Sequence, residues 1–227
     1  MGLQVTYAWV LAVAAAGVVL SYATPVWFAQ TYVAEDGFVE WLTFAALLAG
    51  ALLCWGRAWR LRGTHQGRLV VMLVLIGAAF CFGAGEEISW GQRLLGLNTP
   101  EPLKAYNKQG ELNLHNLELG GVSINKLIFG KVLAGVIVAH FLILPPLYRR
   151  RRRLQAIVDT WGIPVPTWRQ TAVYIIAAIL VHTVNRVDSA LEPLEFVGAW
   201  MYLTVLWRPE NHAVFTRTAH VSAMHAE

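Results

Sequence analysis

The stretch "LVVMLVLIGAAFCFGAGEEISW", residues 69–90, decides the fold. About 20 consecutive apolar residues are what an α-helix needs to cross a bilayer, and this run carries no charge before Glu86 and Glu87. A charge close to a bilayer core is costly and tends to mark a function. The pair of carboxylates therefore poses a question of topology: on which side, and how near the surface, does this helix leave the lipid?

The whole chain answers in the same terms. Its 227 residues are 56% hydrophobic and only 14% charged, with positive mean hydropathy. A soluble domain carries about a quarter charged residues, so the composition predicts an all-α, polytopic transmembrane bundle. Six spans are expected, at about 7–28, 38–55, 69–90, 127–147, 168–187 and 191–207. Residues 1–227 form one transmembrane domain, with 91–126 as an extracytoplasmic loop or lid. The N-terminal run lacks the Lys or Arg of a leader's n-region and reads as the first span. Cys54 and Cys81 lie near opposite ends of their spans, so no disulfide is expected between them.

Charge orients the bundle. "RAWRLRGTHQGR" (57–68) holds four arginines and "YRRRRRLQ" (148–155) holds five, while Arg208 and Arg217 follow the last span. Loops rich in Lys and Arg stay in the cytoplasm, which places both termini inside. The basic balance thus reflects topology and not nucleic-acid binding. Only Asp159, Glu210 and Glu227 then lie inside. Glu35, Asp36, Glu40, Glu86, Glu87, Glu101, Glu111, Glu118, Asp188, Glu192 and Glu195 all fall on or near the outer face, a division independent of the Lys and Arg positions that set the orientation.

Four polar clusters meet on that face. In "AEDGFVEW" (34–41) Asp36 suits a helix cap beside Gly37, and Glu40 lies one turn deeper. In "GEEISWGQR" (85–93) Glu86, Ser89, Trp90 and Arg93 follow i, i+3, i+4, i+7 helical spacing, and two carboxylates at a helix C-terminus oppose its dipole. In "NTPEPLKAYNKQGELNLHNLELGG" (98–121) a short interfacial helix is expected at 100–108, with Gly110 as its stop. The "ELNLHNL" that follows alternates: Glu111, Asn113 and His115 on one side, Leu112, Leu114 and Leu117 on the other. The leucines are expected to tuck this segment into the bundle mouth. In "VHTVNRVDSALEPLEF" (181–196) Ser189 and Glu192 form a capping box in sequence, while His182 and Asn185 sit deeper and Arg186 can neutralise the glutamates. Lys131 can snorkel or pair with the carboxylates. His140 reads as a packing or helix–helix hydrogen-bonding residue.

"EDGFVEW", "GEEISWGQR" and "NKQGELNLHN" together resemble a group of uncharacterised bacterial multi-pass membrane proteins, over about residues 35 to 116. The resemblance implies a bacterial inner-membrane location and brings no activity with it. A looser likeness is to alkaline ceramidase-like membrane hydrolases, which hold zinc with three histidines near a serine and an aspartate. The paired histidines one turn apart on a late span are absent here.

Three functions fit these residues. The first is an enzyme with Glu86, Glu87, Glu111 and His115 as acid–base groups. Glu40, Gln92, Arg93, Asn107, Gln109, Asn116, Asn185 and Arg186 would hold the substrate. Glu86, Glu87, His115 and His182 would be ligands for a divalent metal, and such a donor set favours Mg, Mn or non-haem Fe. A site at the interface points to a lipid or lipid-linked substrate. The second is a non-catalytic subunit that docks membrane-protein partners. The third is a cation-coupled transporter, against which the inner halves of the spans carry few polar groups.

Overall fold

The computed structural model describes residues 2–34, 36–63, 66–107, 110–114, 117–119, 122–123, 132–184 and 192–216. Among them the fold is all-helical apart from a two-residue antiparallel ladder, Glu118–Leu119 against Val122–Ser123. Four helices are long and apolar enough to cross a membrane: α1 (Leu3–Ala23), α2 (Phe38–Leu61), α3 (Gly67–Glu87) and α4 (Leu133–Arg150). Three more follow: α5 (Arg152–Trp161), α6 (Trp168–His182) and α7 (Glu192–Trp207). The fifth and sixth expected spans correspond to α6 and α7, which run 15 and 16 residues.

The outer faces of these helices carry large apolar side chains. Val19 (63% exposed), Leu52 (59%), Leu75 (57%) and Ile179 (63%) face outward from four different helices. Exposed apolar side chains on this many helices are what a membrane-crossing bundle presents to lipid. Inside, α1, α4, α6 and α7 share one core built on Val10, Val13, Phe141, Tyr174, Phe196 and Met201. Helices α2 and α3 approach closely through small residues. A Cβ on Gly50 would lie 2.5 Å from the Phe80 ring, and one on Gly77 would lie 2.5 Å from the Trp55 indole. Small residues at such crossings let helices gain van der Waals contact where no hydrophobic driving force separates them from lipid.

Buried polar groups are matched across helices. Thr167 caps α6 in a capping box with Gln170, and the Gln170 amide donates to the carbonyls of Thr204 (2.9 Å) and Arg208 (3.2 Å) at the end of α7. Arg57 of α2 donates to the carbonyls of Leu206 and Trp207, closing the same helix end. In α4 a π-helical turn, Ala139–Ile143, precedes Pro145 and Pro146. Neither proline has an N–H, so the Phe141 carbonyl loses both its α-helical and its π-helical donor. The Thr171 hydroxyl of α6 donates to that carbonyl at 3.0 Å. His140 acts as expected of it. Its Nε2 lies 2.7 Å from the Pro164 carbonyl and its Nδ1 2.8 Å from the Tyr202 hydroxyl. A carbonyl only accepts, so Nε2 carries the proton and Tyr202 donates to Nδ1. Cys54 and Cys81 are both free thiols.

Candidate functional site at the end of the third helix

The site begins where α3 stops. Helical geometry ends at Glu87, and Ser89 (φ 47°), Trp90 (φ 56°) and Gly91 (φ 73°) all enter the left-handed region. For Ser89 and Trp90 this conformation costs roughly 1–2 kcal/mol each. Continuous helical spacing from Glu86 to Arg93 therefore does not hold. The chain reverses instead, and Trp90 folds back over α3. Its Nε1–H donates to Glu86 Oε1 at 2.8 Å, and its ring lies 2.8 Å from where a Cβ on Gly85 would sit. Only a glycine leaves room for that indole.

The reversal turns Ser89 inward to meet the segment 110–114. Ser89 Oγ donates to Glu111 Oε2 at 2.9 Å and accepts from Asn113 Nδ2 at 2.9 Å. Asn113 Nδ2 also reaches Glu111 Oε2, at 2.8 Å. Asn107 joins them: its Oδ1 accepts the Glu111 N–H at 3.0 Å, and its Nδ2 donates to the backbone and side-chain oxygens of Asn113, both at 3.0 Å. Glu86, Ser89, Asn107, Glu111 and Asn113 are all buried.

The rest of the segment is pinned through its backbone. Leu114 N–H donates to Glu86 Oε2 at 2.7 Å, and Leu112 N–H donates to Gln92 Oε1 at 2.6 Å. Gln92 Nε2 donates to Thr99 Oγ1 (2.7 Å), which donates to the Gly110 carbonyl (2.6 Å). The expected interfacial helix is a single turn, Glu101–Lys104, and Gly110 sits in the left-handed region at φ 69°.

Alternation in this segment is present with its sense reversed. Glu111 and Asn113 point into the protein, while Leu114 is 44% exposed. Leu112 and Leu117 are only half-buried. The carboxylate and amides go inward because each finds partners there, and a satisfied buried polar network costs far less than an unsatisfied one.

Arg93 ties this unit to the corner between α1 and α2. Its Nε lies 2.7 Å from Asp36 Oδ2, and one terminal nitrogen lies 3.1 Å from Glu111 Oε1. Asp36 consequently does not cap α2. Gly37 occupies the cap position, Asp36 adopts φ 55°, and its N–H donates to the Glu40 carboxylate. The capping expectation failed because the Asp36 side chain is held by Arg93. Gly37 is fixed by close approach, since a Cβ there would lie 2.4 Å from the Ala34 carbonyl.

Glu86 and Glu111, both read as catalytic from the sequence, thus hold the 110–114 segment against α3. Glu87 points elsewhere. Adjacent helical residues are about 100° apart, and Glu87 turns toward the start of α7. There its carboxylate meets those of Glu192 and Glu195, with one ligand atom of each lying within 4.8 Å of the other two. All three are half-buried, and Glu40 and Glu86 add negative charge nearby. Three carboxylates this close do not all carry free charge. A shared proton, a basic side chain or a hard cation must balance them. Carboxylate oxygens are the ligand type that suits Mg, Ca or Mn, with water or substrate oxygens completing the shell.

Of the expected metal set, Glu87 belongs to this group. Glu86 is engaged with Trp90 and Leu114. His182 is exposed and its Nδ1 lies 2.9 Å from the Ala178 carbonyl of its own helix. His115, Gln109, Asn116, Asn185 and Arg186 lie outside the described residues, as do Lys131 and Ser189. The sequence reading missed Asp36, Ser89 and Asn113 as parts of the site, and Glu192 and Glu195 as partners of Glu87. Their i, i+3 spacing in "EPLEF" placed both on one face of α7, and nothing in the spacing named the helix they would face. Comparison with protein-family models, with curated proteins and with solved structures returns no match to this chain.

Proposed function

We propose a six-span integral membrane protein of the bacterial inner membrane, both termini cytoplasmic, with a carboxylate site at its outer face. The site performs metal-assisted or acid–base chemistry on a lipid or lipid-linked substrate. The observation that carries this reading is the meeting of Glu87 with Glu192 and Glu195 across two helices distant in sequence. In this role the three glutamates hold a divalent cation, which supplies Lewis-acid polarisation of a substrate oxygen. Glu40, at the start of α2, adds a further carboxylate beside them. Exposed Trp41 and Trp90 flank the same end, as aromatic residues do at a membrane–water interface. A headgroup lying at that level would reach the carboxylates without leaving its leaflet.

The test is elemental analysis and Mn²⁺ titration of the protein purified without chelator. About one equivalent of divalent metal is expected, lost in Glu87→Gln and Glu195→Gln, with the fold retained by circular dichroism. Wild-type protein that binds neither Mn²⁺ nor Mg²⁺ at millimolar concentration refutes the metal-assisted form. If, in addition, Glu87→Gln leaves turnover of a labelled lipid extract unchanged, the acid–base form goes too.

A second reading is a non-catalytic subunit of a larger membrane assembly. The closed network of Ser89, Asn107, Glu111, Asn113 and Arg93 favours it, because it builds a rigid polar platform at one end of the bundle. Purification in mild detergent separates the two. A stoichiometric partner protein supports the platform, and a metal-loaded species without a partner counts against it.

A further inference from the structure

The opposite end of the bundle carries a charged surface that the carboxylate site does not use. Arg150 ends α4, Arg151 is extended between helices, and Arg152 and Arg153 open α5. All four are exposed, and among the described residues none is in an ion pair. Arg149 differs, since its guanidinium clamps both oxygens of Glu210. Cations in the first turn of a helix oppose its dipole, so Arg152 and Arg153 do not stabilise α5 by their position. An anion brought from outside would pair with them favourably.

The rest of α5 says what kind of anion. Val158 and the half-buried Leu154 seat the helix on Tyr148 and Val165. A second stripe points away: Arg153, Ile157 (56% exposed) and Trp161 (38% exposed), four residues apart. A free soluble face does not ordinarily pair an isoleucine and a tryptophan with an arginine run. An amphipathic helix lying in a headgroup layer does.

Arginines also sit over tryptophans all round this end. Arg62 lies 3.1 Å from the Trp59 ring centroid, Arg149 lies 4.9 Å from Trp168, and Arg68 lies 5.8 Å from Trp161. Trp59 and Trp168 are 66% and 67% exposed. Between the starts and ends of these helices opens a cavity of about 500 Å³ lined by Gln66, Gly67, Arg68, Leu69, Asp159 and Thr160. The Asp159 carboxylate is turned to the Tyr148 hydroxyl and the Asn211 amide, which donate to it, and Arg68 supplies the positive charge of the cavity wall.

We propose that α5 and the arginine run before it form a binding surface for anionic phospholipid headgroups, with the phosphates on Arg150–Arg153 and Arg68 and the apolar stripe in the acyl boundary. The proposal stands apart from the carboxylate site and does not need it. Polybasic segments beside a membrane span gain attraction to anionic lipid, and salt removes it.

The experiment uses the full chain, delipidated in neutral detergent and titrated with short-chain phosphatidylglycerol or phosphatidylcholine. Binding is read by thermal shift and by native mass spectrometry. At about 50 mM NaCl phosphatidylglycerol should bind at least tenfold more tightly than phosphatidylcholine, and at about 500 mM the difference should collapse. Replacing Arg150, Arg151, Arg152 and Arg153 with Gln should abolish the preference, and replacing all four with Lys should keep it. If the Gln protein does not fold, the lipid and salt comparison on the wild type decides. Equal binding of the two lipids at low salt overturns the proposal, as does an unchanged preference in a folded Gln variant. Tighter binding of polyglutamate than of phosphatidylglycerol at equal charge also overturns it, in favour of an acidic protein partner.

Discussion

Glu111→Gln tests whether the buried network holds the 110–114 segment by charge. Gln keeps the volume of Glu but replaces one acceptor with a donor. Glu111 uses both oxygens: Oε2 accepts from Ser89 and Asn113, and Oε1 faces Arg93. A glutamine oriented to accept from Ser89 and Asn113 would turn its NH₂ on the guanidinium. The other orientation would face two donors with a third. Hydrogen bonds to charged groups contribute about 1.5–3 kcal/mol. Glu111 is only 10% exposed but Arg93 is 39% exposed, so solvent screening lowers the ion-pair share. About 2 kcal/mol of local stability should be lost, roughly a thirtyfold rise in the open population. Hydrogen exchange reads that opening directly, because Leu112 and Leu114 donate their N–H groups to Gln92 and Glu86. Both amides should exchange about thirtyfold faster in the variant, while the amides of α2 stay unchanged. Protection at Leu112 and Leu114 within twofold of wild type would show that the carboxylate charge does not hold the segment.

Two glycines carry further predictions. Gly85→Ala puts a Cβ 2.8 Å from the Trp90 ring, so the indole should swing out and release Glu86. An overpacking cost of about 1–3 kcal/mol is expected, read as a lower melting temperature that Trp90→Ala in the same chain largely restores. Gly162→Ala meets two penalties, a left-handed φ of 61° and a Cβ 2.6 Å from Leu69 Cγ. It should destabilise by more than about 2 kcal/mol, and Leu69→Ala should recover only the steric part.

Much of the fold was legible because lipid simplifies the code. Residues 3–23, 38–61, 67–87 and 133–150 appear as apolar runs of spanning length, and the runs had to be helical. The short α6 and α7 were readable as helices, though their linker lies outside the described residues. Local chemistry was harder. Helical periodicity carried past Glu87 put Arg93 on the face of Glu86, since nothing in "ISW" warns of left-handed backbone at two residues with side chains. Period two in 111–114 was legible, but the side facing inward was not, because a polar face can be the buried one when its partners are already in place. Asp36 had the right identity for a cap and was taken by a tertiary partner. The convergence of Glu87 with Glu192 and Glu195 is a fact of tertiary packing, since α3 and α7 both lie against α2, and spacing within either helix is silent about it.

The Thr171 hydroxyl on the Phe141 carbonyl bears on how the protein is made. A helix entering hydrocarbon by itself must satisfy every backbone acceptor from its own chain. With Pro145 and Pro146 in succession, α4 has no internal donor for that acceptor and stays incomplete until α6 arrives beside it. The backbone of α4 is therefore completed by α6, and the two helices depend on each other at this level. Two imino acids in one helix are thus answered by a single hydroxyl in another.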